Sequence, residues 1–128
     1  MINDIVIDSD NLTYNKSQNS AIFSDKVVLQ FQDMILKTSV IEVLYKEIDG
    51  KNKIDKVLIP NKLSALNIKD QNTIIADSAE FIASKNELTI KGNVLLSYNN
   101  NILRTKKLIL ISKLNTISNR AEGKVEAK

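Results

Sequence analysis

The chain has 128 residues, with 18 Lys and Arg against 15 Asp and Glu, and a formal net charge of +3. This length suits one domain with a real core, so we predict a single domain over residues 1–128. Without Cys or His, the chain lacks thiolate nucleophiles, disulfides, imidazole bases and the usual zinc ligands. Its basic residues are scattered and it has no Trp, which argues against a nucleic-acid interface. We therefore expect no enzymatic activity, no metal site and no cofactor.

Two features bear on the compartment. No apolar run approaches the roughly 18 to 20 residues that a membrane span needs, and Met1–Asp4 does not resemble the start of a secretion signal. The absence of Cys fits reducing and oxidising compartments equally. The chain is therefore expected to be either a cytosolic protein or a mature form whose signal has been removed.

Strand-like stretches recur along the whole chain. They are rich in Ile, Val, Thr, Phe and Tyr, which fit a pleated surface. Polar turns separate them at residues 15–20, 49–52, 69–72, 84–86 and 98–101, where Asn, Asp and Gly tolerate a left-handed backbone. The predicted strands are Ile5–Ile7, Leu12–Tyr14, Ala21–Phe31, Ile35–Tyr45, Ile54–Ile59, Ile74–Ile82, Glu87–Tyr98, Ile102–Ile111 and, weakly, Thr116–Val125.

Helix is the competing interpretation for ILKTSVIEVLYK, residues 35–46. Apolar residues there occupy Ile35, Leu36, Val40, Ile41, Val43 and Leu44. The β-branched content of this segment and its strand-like neighbours favour a strand. We therefore predict an all-β protein.

The apolar residues of the longest strands alternate with polar ones, so each strand presents one apolar face. Thr89, Lys91, Asn93 and Ser97 occupy the intervening positions, so these strands are not buried on both faces. Two such faces packed together make a sandwich or a jelly roll. The apolar sets are Ala21, Phe23, Val27, Leu29 and Phe31, and Leu88, Ile90, Val94, Leu96 and Tyr98.

The chain also repeats itself at a shift of 67 positions, without a gap. Turn residues and apolar residues coincide, which argues against a chance resemblance between two strand-rich stretches. We predict two copies of one hairpin-containing unit, at about residues 10–44 and 77–111. The identical pairs are Asp10 and Asp77, Ser17 and Ser84, Asn19 and Asn86, Val27 and Val94, Leu29 and Leu96, Ile35 and Ile102, Leu36 and Leu103, and Thr38 and Thr105.

The order of these motifs resembles the OstA-like family of lipopolysaccharide-transport proteins, and within it the periplasmic bridge proteins. The shared pattern is a short Asp-containing strand that ends in an aromatic residue, a polar turn, a strand of the form x-G-N-V and a further strand. The second copy has Asp77, Phe81, Leu88 and Gly92-Asn93-Val94, and the first has Asp10, Tyr14 and Ser24-Asp25-Lys26-Val27. Asp25 stands where the pattern has Gly, and we expect this to alter a local bulge, since Asp reaches left-handed angles less easily.

The resemblance covers nearly the whole chain. It implies an open antiparallel β-jelly roll of two splayed sheets, in the periplasm of a Gram-negative cell. Its apolar interior would accept the acyl chains of lipopolysaccharide and pass them from an inner-membrane complex toward an outer-membrane translocon. A cleaved secretion signal would precede the first residue of such a protein.

The predicted lipid groove follows from the inward faces of the two copies. Each of these residues is equally well explained as ordinary sandwich core, so only the set points to a lipid. The predicted set is Phe23, Val27, Leu29, Phe31, Ile41, Val43, Ile90, Val94, Leu96, Tyr98, Leu108 and Leu110.

Polar residues of the two copies have simpler explanations. Lys37, Arg104, Lys106 and Lys107 could pair with lipid phosphates at the groove mouth, but a solvated strand face is the better interpretation. For Asp10 and Asp77, a hydrogen bond at a turn is a better explanation than catalysis.

The ends of the chain are candidate edge strands, because an open sheet leaves unpaired backbone groups. Ile5, Val6 and Ile7 at one end and Val125 at the other are the predicted edge contacts. Strand pairing there would join copies head to tail and dock LptC-like and LptD-like jelly-roll domains.

Two other functions stay open. A structural or filament-forming β-repeat protein would use the same alternation and edges. An LptC-like component of the same pathway would share the jelly roll, although such relatives usually carry an N-terminal membrane anchor. Carboxylates alone can hydrolyse glycosides, but no such pair stands out in the sequence.

Overall fold

A computed structural model describes the backbone of residues 5–113 and 116–122 and the side chains of residues 5–111. Within these ranges the chain forms eleven β-strands and one 3₁₀ turn at Ala83–Lys85, which confirms the all-β prediction. The strands are β1 Ile5–Asp8, β2 Asn11–Asn15, β3 Ser20–Phe31, β4 Met34–Ile48, β5 Lys51–Ile59, β6 Leu63–Asn67, β7 Thr73–Ala76, β8 Ser78–Ile82, β9 Glu87–Tyr98, β10 Asn101–Lys113 and β11 Thr116–Glu122.

Three differences separate these strands from the sequence predictions. The predicted strand Ile74–Ile82 is two strands, β7 and β8, which meet at Asp77. Strand β6 was missed, because its Ser and Ala residues have weak strand preference and its five residues follow the single Pro. The last predicted strand is found as β11, but Val125 lies outside the described residues.

All strand pairs are antiparallel, and three long strands, β3, β4 and β9, each pair with two different strands along one edge. In β3, residues 20–24 pair with β2 and residues 28–31 pair with β1. Strand β4 pairs with β5 and β6 through its two halves, and β9 pairs with β8 and β7. The strands therefore form two layers: a first layer in the order β2-β3-β4-β5-β8-β9-β10-β11 and a second in the order β1-β3-β4-β6-β7-β9-β10. This is an open antiparallel β-jelly roll.

The long strands change layer at two β-bulges. In β3, Asp25 and Lys26 face the single residue Ser39 of β4, because the register shifts between Ser24 and Val27. In β9, Gly92 and Asn93 face the single residue Lys106 of β10 in the same way. All four bulge residues on β3 and β9 have positive φ, between 45° and 85°. Contrary to expectation, Asp25 takes the same left-handed conformation, with φ 68°, as Gly92.

The two bulges lie 67 residues apart, which is the shift found in the sequence. Strand β3 spans Ser20–Phe31 and β9 spans Glu87–Tyr98, again with the same shift. The pairing of Ile7 with Leu29 likewise corresponds to the pairing of Ile74 with Leu96. These coincidences support the proposal that residues 10–44 and 77–111 are two copies of one unit.

One hydrophobic core joins the two layers. Ile41 and Ile90 at its centre have no exposed surface, and Val27, Leu36, Val43, Val57, Val94 and Leu108 are 1 % exposed. Burying each large aliphatic side chain contributes roughly 1.5–3 kcal/mol. The centre of the core therefore holds the layers together. Farther from it, Phe31, Met34, Phe81, Leu88 and Leu110 are partly buried.

The Asp77 side chain holds the second bulge. Asp77 Oδ2 accepts a hydrogen bond from Asn93 Nδ2 at 2.9 Å. The backbone N–H of Asp77 donates to the carbonyls of both Lys91 and Gly92. In the first copy, the backbone N–H of Asp10 donates to the Asp25 carbonyl at 2.9 Å. Asp77 also lies so close to Gly92 that a Cβ on that glycine would stand 2.6 Å from its Oδ2. The bonds of Asp77 agree with its interpretation as a hydrogen-bonding residue at a turn, whereas the bond of Asp10 is made by its backbone and leaves the prediction for its side chain untested.

We expect Gly92→Ala to destabilise the protein by about 2–4 kcal/mol, because it combines a left-handed φ with a clash against Asp77. Gly50→Ala is the matched control: Gly50 has a similar φ of 78° but open space around it, so the cost should be about 1 kcal/mol. Urea unfolding of the two variants measures the difference. Equal midpoints would show that the Asp77 contact does not constrain the bulge.

Candidate functional site

A cavity of about 380 Å³ opens at one end of the jelly roll, between the two layers. Phe81, Leu88 and Leu110 face it from the first layer, where they are direct neighbours across β8, β9 and β10. Phe31 and Met34 face it from the second layer, where they pair across β3 and β4. Since side chains directly opposite on paired strands share a face, each layer presents one apolar row to this mouth cavity.

The rim of the mouth cavity is polar. It consists of the β3–β4 turn, the β6–β7 turn and the residue before β9, which contribute Gln32, Asp33, Asn67, Lys69, Asp70 and Asn86. The combination of an apolar wall and a polar, partly charged rim suits an amphiphilic ligand.

Local hydrogen bonds hold the rim in place. The Asn67 side-chain oxygen accepts from the backbone N–H groups of Lys69 and Asp70, at 2.9 and 3.1 Å. The Ile68 N–H donates to the Asp33 carbonyl at 2.9 Å, which joins the two turns. The rim is therefore organised without a ligand.

Two smaller spaces adjoin the mouth cavity. An apolar void of about 40 Å³ lies deeper between the layers and is lined by Ile5, Leu29, Phe31, Met34, Leu36, Val57, Ile59, Phe81 and Leu88. A second space of about 120 Å³ reaches Ala65, Ile74, Leu96, Leu108 and Leu110. The interior is thus incompletely filled at this end of the molecule.

The structure distributes the twelve predicted groove residues over several environments. Phe31 and Leu110 line the mouth cavity, Leu29 lines the deeper void, and Leu96 and Leu108 border the second space. Tyr98 is 37 % exposed at the end of β9, away from these spaces. Of the other six, Phe23 packs against the core and five belong to it: Val27, Ile41, Val43, Ile90 and Val94.

Three wall residues were not among the predicted groove residues. Phe81 and Leu88 lie on predicted strands with inward alternation, so the pattern contained the signal for them. Met34 immediately precedes a predicted strand and pairs with Phe31, which only the register of the hairpin reveals.

The predicted cationic residues do not line the mouth cavity. Lys37, Arg104 and Lys106 are exposed and Lys107 is half-buried. Arg104 and Lys106 border a separate surface cleft next to the second bulge. The charged residues of the mouth are instead Asp33, Lys69 and Asp70.

Among the residues that the structure describes, no group of three or more His, Cys, Asp or Glu side chains could hold a metal ion. No helix in the same part of the chain is long and apolar enough to cross a membrane. The lining of the mouth cavity offers apolar contact within a polar rim.

Comparison with known proteins finds similar proteins both in sequence and in structure. The chain is 32 % identical over 108 residues to the uncharacterized protein RP507 of Rickettsia prowazekii, covering 84 % of this chain and 74 % of that protein. No protein-family model matches. The crystal structure of LptH, the LptA-homologous periplasmic component of the lipopolysaccharide transport device of Pseudomonas aeruginosa, superposes with a TM-score of 0.69. That match covers 90 % of this chain and 80 % of LptH at 11 % identity, and it shows the fold.

Truncation of the mouth wall should cost less stability than truncation of the core. Leu108 and Leu110 lie on the same face of β10, but Leu108 is 1 % exposed and borders only the smaller second space, whereas Leu110 lines both that space and the mouth cavity. We expect Leu108→Ala to lower the free energy of unfolding by about 3–5 kcal/mol and Leu110→Ala by about 1–2 kcal/mol, because Leu110 already borders the open mouth cavity. Urea unfolding measures both, and equal costs would mean that the mouth is packed like the core.

Proposed function

Since the chain belongs to the same family as the Rickettsia protein RP507 and has the fold of LptH, we propose that it is a non-enzymatic carrier of lipopolysaccharide. In this proposal, it works in the periplasm as an LptA-like bridge. It holds acyl chains between its two layers and passes them toward the outer membrane. The observation that carries the proposal is the mouth cavity, an apolar space between the layers that opens to solvent.

Apolar contact alone is enough for affinity. Each buried methylene contributes about 0.8 kcal/mol, so ten of them contribute roughly 8 kcal/mol before the cost of immobilising the lipid. The rows Phe81-Leu88-Leu110 and Phe31-Met34 supply the apolar walls for such a chain. No charged contact is needed to retain it.

The polar rim suits the other end of the lipid. Lys69 is the cation on the rim, and Asn67 and Asn86 add amide groups that can bind phosphate or sugar oxygens. Asp33 and Asp70 would disfavour a highly anionic headgroup held close to the rim. The rim therefore favours a bound state in which the acyl chain is inside and the headgroup stays in solvent.

Free strand edges support a role in assembly. In the part of the chain that the structure describes, β1 and β2 pair with β3 and have no strand on their other side. Within the chain, the equivalent strands β7 and β8 pair with β6 and β5 on that side. We propose that β1 and β2 accept a strand from another molecule in the same way. This would give a head-to-tail homo-oligomer and docking to LptC-like and LptD-like jelly-roll domains.

The free edges equally suit a structural, filament-forming protein, and the LptC-like role shares the same fold. Lipid binding distinguishes the structural function from the carrier function. A filament protein should not bind lipopolysaccharide, and it should not bind a hydrophobic dye that lipopolysaccharide can displace. An LptC-like component should bind the lipid but form hetero-complexes in preference to homo-oligomers.

We expect Leu110→Asp to weaken lipopolysaccharide binding at least tenfold, because it places a carboxylate in the apolar wall. Ile75→Asp is the matched control, since Ile75 is 45 % exposed on the outer face of β7 and the charge change is the same. Displacement of a hydrophobic dye by purified lipopolysaccharide gives both affinities, and circular dichroism checks folding. Equal affinities of the two folded variants would show that the lipid does not bind in the mouth cavity. Failure of the wild-type protein to bind lipopolysaccharide would contradict the carrier function itself.

We expect Leu12→Lys to reduce self-association, because it adds a charge to the free edge strand β2, where Leu12 is 59 % exposed. Ile75→Lys is the control, since β7 is paired on both sides. Sedimentation velocity over a concentration series should show larger species for the wild type and the control, and monomer for Leu12→Lys. A wild-type protein that stays monomeric at high concentration, alone and with jelly-roll partners, would contradict the assembly proposal.

A further inference from the structure

Phe31 and Phe81 line both the mouth cavity and the smaller apolar void next to it. Both cavities are lined by the same four residues, Phe31, Met34, Phe81 and Leu88. The outer space measures about 380 Å³ and the inner one about 40 Å³. The available space therefore narrows sharply at these side chains.

The two rings come from opposite layers. Phe31 ends β3 in the second layer, and Phe81 lies on β8 in the first. Their centroids are 6.3 Å apart and their planes are inclined by 49°, which is within the range of favourable aromatic contact. The pair thus closes the space between the layers by direct contact across it.

Beyond the pair, the interior is apolar and holds only a small void. Leu36, Val57 and Ile59 line the inner void and are at most 2 % exposed. The inner void of about 40 Å³ is far smaller than the outer space of about 380 Å³, so it has room for only a small part of an acyl chain. An acyl chain can reach this region only if the rings move apart.

We propose that Phe31 and Phe81 form an aromatic gate that limits how far an acyl chain enters the jelly roll. This inference rests on the proposed function as a lipid carrier. With the gate closed, a chain fills the mouth cavity and its remaining methylenes stay outside. Opening requires the loss of one ring contact and separation of the layers at β3 and β8. The gate therefore determines the length of chain that the resting protein holds.

The test measures affinity against chain length. The probes are lysophospholipids with one saturated chain of about eight to about sixteen carbons, used below their micelle concentrations, and each buried methylene should tighten binding about fourfold. For the wild-type protein, we expect affinity to rise with length and then level off at the length that fills the mouth cavity. For Phe81→Ala, the rise should continue to longer chains, so the longest probe binds at least tenfold tighter than to the wild type.

Two further variants and one control make the result specific. Phe81→Trp enlarges the ring and should move the levelling-off to shorter chains, and Phe81→Leu should move it to longer chains if Phe81→Ala does not fold. Phe23→Ala is the matched control, because Phe23 packs against the core without lining either cavity. The Phe23→Ala variant should have the same chain length at which affinity levels off as the wild-type protein. Because Phe81 also lines the mouth cavity, its variants are compared by the chain length at which affinity levels off, whereas general loosening of the fold would shift that length in Phe23→Ala as well.

The outcomes separate the gate from the carrier function. If the wild-type protein binds the series but the levelling-off is the same in every Phe81 variant, the gate is wrong and the carrier function stands. If affinity rises without levelling off in the wild type, the gate is also wrong. If the wild-type protein binds none of the probes, both proposals fall.

Discussion

The two β-bulges are the constraint on which the rest of this structure depends. Strands β3 and β9 each have twelve residues and belong to both layers, so each must bend where it passes from one layer to the other. Two consecutive residues with positive φ produce the bend in each strand. At each bulge, two residues of the bent strand face one residue of its partner. In the partner strand, the inward-facing side chains therefore switch between even and odd positions at the bulge. The inward residues of β4 are accordingly Leu36 before the bulge and Ile41 and Val43 after it.

This change of phase has two consequences for the site. It keeps apolar side chains directed between the layers along the whole of each long strand, so the interior is continuous from the core to the mouth. It also divides the hydrogen-bonding partners of each strand, which lets the layers diverge away from the bulges. Near the bulges, Val27, Val94 and Leu108 are almost completely buried, and at the far end Phe31, Met34, Phe81 and Leu88 surround open space. Close packing and open space are thus located at different positions along the same strands.

The same architecture connects the internal repeat to assembly. Strands β5 and β6 of the first half cover the edges of β8 and β7 in the second half, so the chain already contains one example of the junction that the assembly proposal requires. The corresponding edges of β2 and β1 face outward in the residues described. A carrier built in this way can align the interior of one unit with the interior of the next, because the pairing that joins the halves also extends the two layers. Transfer between similar apolar sites then needs no large difference in affinity.

The sequence by itself determined the all-β class, most strand positions, the inward faces of the long strands and the 67-residue correspondence, because these depend on local preference and on alternation along the chain. The one ambiguous segment, residues 35–46, resembles a helix because its apolar positions change phase opposite the bulge in β3. Only the tertiary structure decided how deep each apolar residue lies, since Leu108 and Leu110 have the same pattern but only Leu110 lines the mouth cavity. It alone brought Phe31 and Phe81 together, because their contact joins two layers and no property of either strand specifies the distance between them.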